Sequence, residues 1–191
     1  KYQLKNQEYC LFVGRIGHEK NIFFLIEAFE TLIKEKPDLN LLIIGDGPER
    51  KNIEKECERK GLSNSVIFTG YLNKKEVFTS YKIAKLMLFP SKTETQGLTV
   101  VESLLCGTPV IGINKLGVKN VIGNNMGGIT TTESIKDYTA ACLKLLNDES
   151  LYKEYVQKAI KRGKEFSIEK SGKLMVESYK TVLNNHINKI S

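Results

Sequence analysis

Apolar residues are spaced along this chain in two ways that alternate with each other. Short, continuously apolar runs predict buried β-strands. They are separated by stretches in which apolar residues recur every three or four positions, as in amphipathic helices. This alternation predicts a parallel sheet with helices on both faces, an α/β, Rossmann-like fold. The predicted strands lie in YCLFVG, NLLIIGDG, SVIFTG, KLMLFP and TPVIGI.

The predicted helices lie between these strands, and several have recognisable ends. PERKNIEKECERKG has Pro48 in its first turn and Gly61 at its end, and GLTVVESLLCG closes at Gly107. Two more helices are predicted in NIFFLIEAFETLIKEKP and NKKEVFTSYKIA. From about Glu133 onward the pattern predicts helices only. In the last helix, burial is predicted on one side only, because the apolar residues share a single face. The residues on this face are Met175, Tyr179, Val182 and His186.

Length and composition fit one folded domain, since the 191 residues are 41% hydrophobic and 27% charged. No apolar run is long enough to span a bilayer, and the first residues lack the apolar centre that a signal peptide needs. The cysteines are scattered, which argues against a zinc cluster and favours reduced, buried thiols. We therefore expect a cytoplasmic protein without a metal centre. The cysteines are Cys10, Cys57, Cys106 and Cys142.

Positive charge is concentrated near the C-terminal end. The net charge is +7, and residues 151–191 hold nine Lys or Arg and four Glu, a net of +5. A solvated basic face would explain this excess. Attraction to an anionic membrane surface or to an acidic partner domain would explain it as well. Nucleic acid is not expected as a partner, because no basic stripe is interleaved with aromatic residues.

Candidate binding residues follow the predicted strands, and ligands of open parallel sheets bind at the carboxyl ends of the strands. Arg15 is suited to bidentate contacts with phosphate oxygens, and Lys20 adds a second positive charge. Taken alone, each could be an ordinary surface charge. The residues after successive strands are Gly14, Arg15 and Lys20, then Gly45, then Tyr71, then Ser91 and the segment 94–97.

Two glutamates flank the start of the helix that Gly97 opens. The first amide groups of a helix have no acceptor within the helix and lie at the positive end of its dipole, which suits an anionic diphosphate. Glu102 leans back toward this end, where its carboxylate could accept hydrogen bonds from a ribose diol. Glu94 could bind a sugar ring beyond the phosphates. A simpler explanation of Glu102 alone is compensation of the helix dipole.

Five motifs occur in an order that resembles one enzyme family. They are VGRIGHEKN, IIGDGPE, VIFTGYL, PSKTETQGLTVVESLLCGTPVIG and FSIEKSGKLMVESY. Together they resemble the C-terminal, donor-binding domain of family 4 (group 1) glycosyltransferases, which have the GT-B fold. Glu94 and Glu102 match the family signature of two glutamates separated by seven residues. Almost the whole chain takes part in the resemblance.

The resemblance implies a role for each matching residue. Arg15 and Lys20 would bind the donor diphosphate and stabilise the leaving nucleotide, and Glu94 would contact hydroxyls of the sugar. Enzymes of this family retain the anomeric configuration and generally need no metal, so no cofactor is expected. The remaining donor-binding residues implied are Gly14, Gly45, Tyr71, Leu72, Ser91, Gln96, Gly97, Leu98, Thr99 and Glu102, with Tyr71 and Leu72 near the base and Glu102 on the ribose.

The resemblance also implies a domain organisation and a substrate. Residues 1–8 would be a linker from an N-terminal acceptor domain, residues 9–165 the nucleotide-sugar domain, and residues 166–191 a C-terminal helix that could pack on the acceptor domain. The loop Glu94-Thr95-Gln96-Gly97 replaces the frequent Glu-Gly-Phe-Gly, and Ile168 stands where Trp is common. TETQGL is similar to bacterial diacylglycerol glucosyltransferases, which favours a UDP-hexose donor and a lipid or polysaccharide acceptor.

Two other functions remain open at this point. One is a GT-B sugar-nucleotide epimerase, although the ionisable residues that proton transfer at carbon would need are not evident. The other is a nucleotide-binding or scaffolding module without catalysis, against which the intact Arg15, Lys20, Glu94 and Glu102 argue. A dehydrogenase is disfavoured, because GDG lacks the third glycine of the dinucleotide fingerprint.

Overall fold

The computed structural model describes residues 8–93 and 97–187, and within them every side chain except those of 116, 124, 168, 169, 171, 174 and 182–187. The strands are β1 (Tyr9–Val13), β2 (Asn40–Ile44), β3 (Val66–Gly70), β4 (Leu86–Phe89), β5 (Val110–Ile113) and β6 (Gly128–Thr131). The helices are α1 (Ile22–Glu35), α2 (Arg50–Arg59), α3 (Lys74–Ile83), α4 (Leu98–Leu105), α5 (Leu116–Ile122), α6 (Ile135–Asn147), α7 (Glu149–Lys164) and α8 (Ile168–Ile187).

The strands form one sheet in the order β3-β2-β1-β4-β5-β6, and every neighbouring pair is parallel. The predicted α/β, Rossmann-like fold is confirmed, and so are the five predicted strands. Two elements were not predicted, β6 and α5. The strand β6 reads GITT and has a single aliphatic residue. It lies at the edge of the sheet, where its two middle residues are only half-buried, so it lacks the continuous apolar run that predicts a buried strand. The helix α5 spans seven residues, too few for a clear helical period.

Side chains of the strands alternate between two buried clusters, one on each face of the sheet. Phe12 and Ile43 face a cluster completed by α1, α2 and α6, whereas Leu11 and Leu42 face one completed by α3, α4 and α5. Burial of each such side chain contributes about 1.5–3 kcal/mol to the free energy of unfolding. Both clusters therefore stabilise the fold. The predicted burial of thiols is confirmed for three cysteines, and Cys106 is half-buried.

Local sequence explains where several helices begin and end. Asn73 and Glu76 form a reciprocal capping box at the start of α3. Gly61 ends α2 in the left-handed region, with φ 70°, and the amide of Leu62 donates to the carbonyl of Cys57 over 2.8 Å, as in a Schellman motif. Pro48, predicted in the first helical turn, instead lies in the turn that precedes α2.

The helices after β6 are packed unequally. α7 lies so close to α4 that a Cβ at Gly163 would come within 2.6 Å of the amide nitrogen of Leu105. In α8, by contrast, Met175 and Tyr179 are 61% and 66% exposed, so the described part of its apolar face is not buried within this chain. The side chains of Val182 and His186, predicted on the same face, are not among the described side chains. Among the described helices, none combines the length and apolar character that crossing a membrane requires.

Candidate functional site

The loops after β1 and β4 meet at the centre of the sheet, where strand order reverses. β1 lies between β2 and β4, so the connections from β1 and β4 run in opposite directions and open a crevice at their carboxyl ends. The hydroxyl of Ser91 donates to the backbone carbonyl of Glu19 over 3.4 Å. The ammonium of Lys20 lies 6.0 Å from the centroid of the Phe89 ring. The predicted residues of both loops are therefore brought together.

The β1 loop, which borders this crevice, carries positive charge. Arg15 is exposed, and no acceptor in the described part of the chain pairs with its guanidinium. His18 is exposed in a 3₁₀ turn (His18–Lys20). Asn21, next to Lys20, has φ 55°, and its buried Nδ2 has no hydrogen-bond partner among the described residues. Sequence reasoning missed Asn21, although a buried donor without an acceptor often marks a functional position.

The end of β2 and the GDG turn that follows it hold the β1 loop through backbone hydrogen bonds. The amide of Gly14 donates to the carbonyl of Ile44 over 3.0 Å, and that of Ile16 to the carbonyl of Asp46 over 2.9 Å. A Cβ at Gly45 would lie 2.0 Å from the carbonyl oxygen of Gly14. Gly45, predicted as a donor-binding residue, thus has a packing reason to be glycine, and a contact with donor remains a prediction.

Arg50, which the sequence interpretation did not select, lies between this turn and the end of β3. Its guanidinium donates to Asp46 over 2.9 Å and to Glu54 over 2.7 Å. The amide of Gly47, and then this guanidinium, lower the pKa of the Asp46 carboxyl. Arg50 also lies 6.0 Å from the centroid of the Phe68 ring. These contacts fix the turn beside the position at which a base is predicted.

Tyr71 and Leu72, predicted beside the base, follow β3 directly. Tyr71 is 78% exposed, and Leu72 is half-buried against the cluster of α3, α4 and α5. An exposed aromatic ring beside a half-buried aliphatic side chain suits the face of a planar ring. The assignment of these residues to the base stays a prediction.

The start of α4 has the predicted form. Gly97 is its N-cap, with φ 61°, in the left-handed region that favours glycine. Leu98 is 65% exposed, and Thr99 is half-buried. Glu102 lies one turn further along and accepts a hydrogen bond of 3.2 Å from the hydroxyl of buried Tyr81.

The segment between β4 and α4 is only partly described. Glu94 and Gln96 lie outside the described residues, so their predicted contacts with the sugar stay predictions. Just before them, Lys92 forms an ion pair with Glu133, which follows β6. This pair joins the β4 loop to the loop after β6.

The helix α5 supports the N-cap of α4 and is itself held by Arg162. The Cγ2 atom of Val121 lies 3.6 Å from the position of a Cβ on Gly97. Arg162 of α7 donates through Nε to the carbonyl of Val121 and through Nη2 to that of Asn120, both over 2.7 Å. A cation at the last carbonyls of a helix stabilises that end of its dipole. α7 therefore supports the site from a distance.

The described residues include no group of three His, Cys, Asp or Glu side chains arranged to hold a metal ion. The cations of the β1 loop and the N-terminus of α4 are the groups that could stabilise a diphosphate. Whether the reaction needs a metal is a separate question, and independence from metal remains a prediction.

Comparison with known proteins decides the family. The model for "Glycosyl transferases group 1" matches residues 1–162. This chain belongs to the group 1 glycosyl transferases. It is 38% identical over 118 residues to alpha-monoglucosyldiacylglycerol synthase of Streptococcus pneumoniae, covering 62% of this chain and 27% of that protein. It is 29% identical over 187 residues to the serotype-specific mannosyltransferase WbdA of Escherichia coli, covering 96% and 23%.

A solved structure gives the same result. A mutant of S. aureus TarM, in complex with Fondaparinux, alpha-GlcNAc-glycerol and UDP, superposes with a TM-score of 0.82 at 25% identity, covering 93% of this chain and 36% of that one. The chain thus spans about a quarter of the length of the two relatives named above. The resemblance to the donor-binding half of a group 1 glycosyltransferase with the GT-B fold is confirmed at the level of family and fold.

Proposed function

We propose that this chain binds a UDP-hexose and is the donor half of a retaining hexosyltransferase whose acceptor is a lipid or a polysaccharide. The observation that carries the proposal is the contact of the β1 loop, which bears Arg15 and Lys20, with the end of β4 and Ser91, in the connection that leads to the N-terminus of α4. Two cations and a helix N-terminus suit a diphosphate, and Glu102 on that helix suits a ribose. TarM, at 25% identity, was crystallised with UDP, which supports uridine as the base.

In this proposal the chain's own residues stabilise the leaving nucleotide. Negative charge develops on the β-phosphate as the bond to the sugar breaks, and Arg15, Lys20 and the amides of α4 would stabilise it in place. Glu94 would hold sugar hydroxyls so that the anomeric carbon faces an acceptor. The buried Nδ2 of Asn21, beside Lys20, offers one more donor for a ligand oxygen.

An epimerase or a non-catalytic nucleotide-binding module would use the same crevice. The names of the relatives weigh against both, since each denotes a synthase or a transferase. Finding epimerised nucleotide-sugar after incubation with this chain would favour the epimerase.

Calorimetric titration tests the proposal directly. We expect UDP and UDP-glucose to bind, GDP-mannose to bind more weakly, and uridine to bind least, because most of the contacts are to the diphosphate. Since the acceptor domain would lie outside this chain, we also expect no transfer of glucose to diacylglycerol. GDP-mannose binding in preference to UDP-glucose would contradict the choice of base, and no binding of UDP would contradict the proposed function.

We also propose a peripheral contact with an anionic membrane surface. Lys161, Lys164 and Lys170 are exposed around a groove whose lining includes Ile160. Close to anionic lipid, each Lys contributes about 1 kcal/mol of attraction. A solvated basic face, or a contact with an acidic domain, would explain the same charge.

Flotation with lipid vesicles distinguishes these explanations. We expect phosphatidylglycerol vesicles to retain the chain more than phosphatidylcholine vesicles, and added salt to release it. Changing Lys161 and Lys164 together to Gln should weaken retention. The same change at Lys51 and Lys55, exposed on α2, removes equal charge elsewhere and should have less effect. Equal losses from both pairs would mean that only net charge matters.

A further inference from the structure

The hydroxyl of Tyr81 donates a hydrogen bond of 3.2 Å to Oε2 of Glu102. Tyr81 lies on α3 and is fully buried, whereas Glu102 lies on α4 and is half-buried. We propose that Tyr81 is a positioning residue, which holds the Glu102 carboxylate in the orientation that binds the ribose hydroxyls of the donor. The inference rests on the proposed function, because it concerns the residue assigned there to the ribose.

Tyr81 is itself held firmly. Its ring lies in the cluster between the sheet and α3, α4 and α5, and it meets the ring of Phe78 edge-on, with centroids 6.2 Å apart. The hydroxyl of Thr108 donates to its backbone carbonyl. Burial, and then the charge of Glu102, raise the pKa of the Tyr81 phenol far above its usual value, so this hydroxyl remains a donor. The donor thus has little freedom to move.

The contact leaves Glu102 available to a ligand. Oε2 takes the hydrogen bond from Tyr81, and Oε1 has no hydrogen-bond partner among the described residues. A carboxylate can accept about four hydrogen bonds, so both oxygens keep capacity for a diol. A glutamate side chain without such an anchor loses rotamer entropy when a ligand orders it. Tyr81 reduces this cost by ordering the carboxylate beforehand.

Other buried tyrosines show that this contact is not simply what a buried phenol requires. The hydroxyl of Tyr138 donates to the carbonyl of Ile111 over 3.0 Å, and that of Tyr9 to the carbonyl of Ser80 over 3.4 Å. Both use backbone acceptors inside the fold. Tyr81 instead reaches a charged side chain at the edge of the candidate site, and a hydrogen bond to an ionised group is the stronger kind.

Tyr81→Phe tests the inference, because it removes one oxygen atom and keeps the ring. We expect the affinity for UDP to fall by up to about tenfold, because the ligand would then have to order the rotamers of the Glu102 side chain itself. In the background of Glu102→Ala the same change should have no further effect. It should also have no effect on 2′,3′-dideoxy-UDP, which lacks the ribose hydroxyls. Tyr138→Phe, which removes a buried hydroxyl from the other cluster, should leave UDP affinity unchanged.

Each outcome bears on a different claim. A purely structural role for Tyr81 would weaken UDP and its dideoxy analogue equally, which would overturn the inference. If Glu102→Ala weakens UDP binding and Tyr81→Phe does not, positioning by Tyr81 is wrong while the ribose assignment stands. If neither change matters, the ribose assignment is wrong as well. If the unsubstituted chain binds no UDP, the proposed function itself fails, and the inference with it.

Discussion

Gly45→Ala is expected to lower the free energy of unfolding by about 3 kcal/mol or more and to abolish binding of UDP. Gly45 has φ 130°, a region that residues with a Cβ rarely adopt, and the added Cβ would lie 2.0 Å from the carbonyl oxygen of Gly14. That oxygen belongs to the backbone, so no side-chain rotation relieves the contact. The turn after β2 and the loop after β1 would have to separate.

This separation would reach the site directly. The hydrogen bonds from Gly14 to Ile44 and from Ile16 to Asp46 hold the loop on both sides of Arg15. Losing them would displace the guanidinium from the crevice, so binding should fail even where the variant stays folded.

Urea unfolding followed by titration with UDP measures both effects. Gly123→Ala is the matched control, because Gly123 has φ −51° and nothing lies within 4 Å of an added Cβ. It should change stability little, or raise it slightly by restricting the unfolded chain. Equal stability of the two variants would show that the close approach of the two loops is wrong.

The predictable part of the fold is the part with a strong local pattern. β1 and β2 are buried on both faces, and such strands have continuous apolar sequences. β6 lies at the edge, where Thr130 is half-exposed, so its sequence resembles a turn. The exposed face of Met175 and Tyr179 shows a different limit. A periodic pattern identifies an apolar helix face, but it does not say what covers that face.

The predictable part of the site is what the order of strands brings together. Arg15 and Gly97 could be expected at one edge because parallel strands end at the same edge. The contact of Tyr81 with Glu102 depends instead on how α3 and α4 pack side by side on one face of the sheet. A tyrosine on an apolar helix face indicates only burial. The same holds for Arg162, whose acceptors on α5 lie 41 and 42 residues away in sequence.

Arg15→Ala is expected to weaken binding of UDP by about 1.5–3 kcal/mol, which corresponds to roughly 10- to 150-fold, because it removes a charge-assisted contact with the diphosphate. Stability should change little, since Arg15 is exposed and pairs with no acceptor in the described part of the chain. Arg59→Ala is the matched control. Arg59 is a largely exposed arginine on α2 whose partner is Glu56, so its loss should leave UDP affinity unchanged.

The pattern across ligands identifies what Arg15 contacts. If it binds the diphosphate, Arg15→Ala should weaken UDP most, UMP less and uridine not at all, and the difference between UDP and UMP should shrink as salt screens the charges. A uniform loss for all three ligands would instead mean that Arg15 shapes the base or ribose region. If Arg15→Ala weakens binding of none of the three ligands, the guanidinium is not part of the site. Since the proposed function assigns the diphosphate to the cations of the β1 loop and the N-terminus of α4, that result would contradict the proposal.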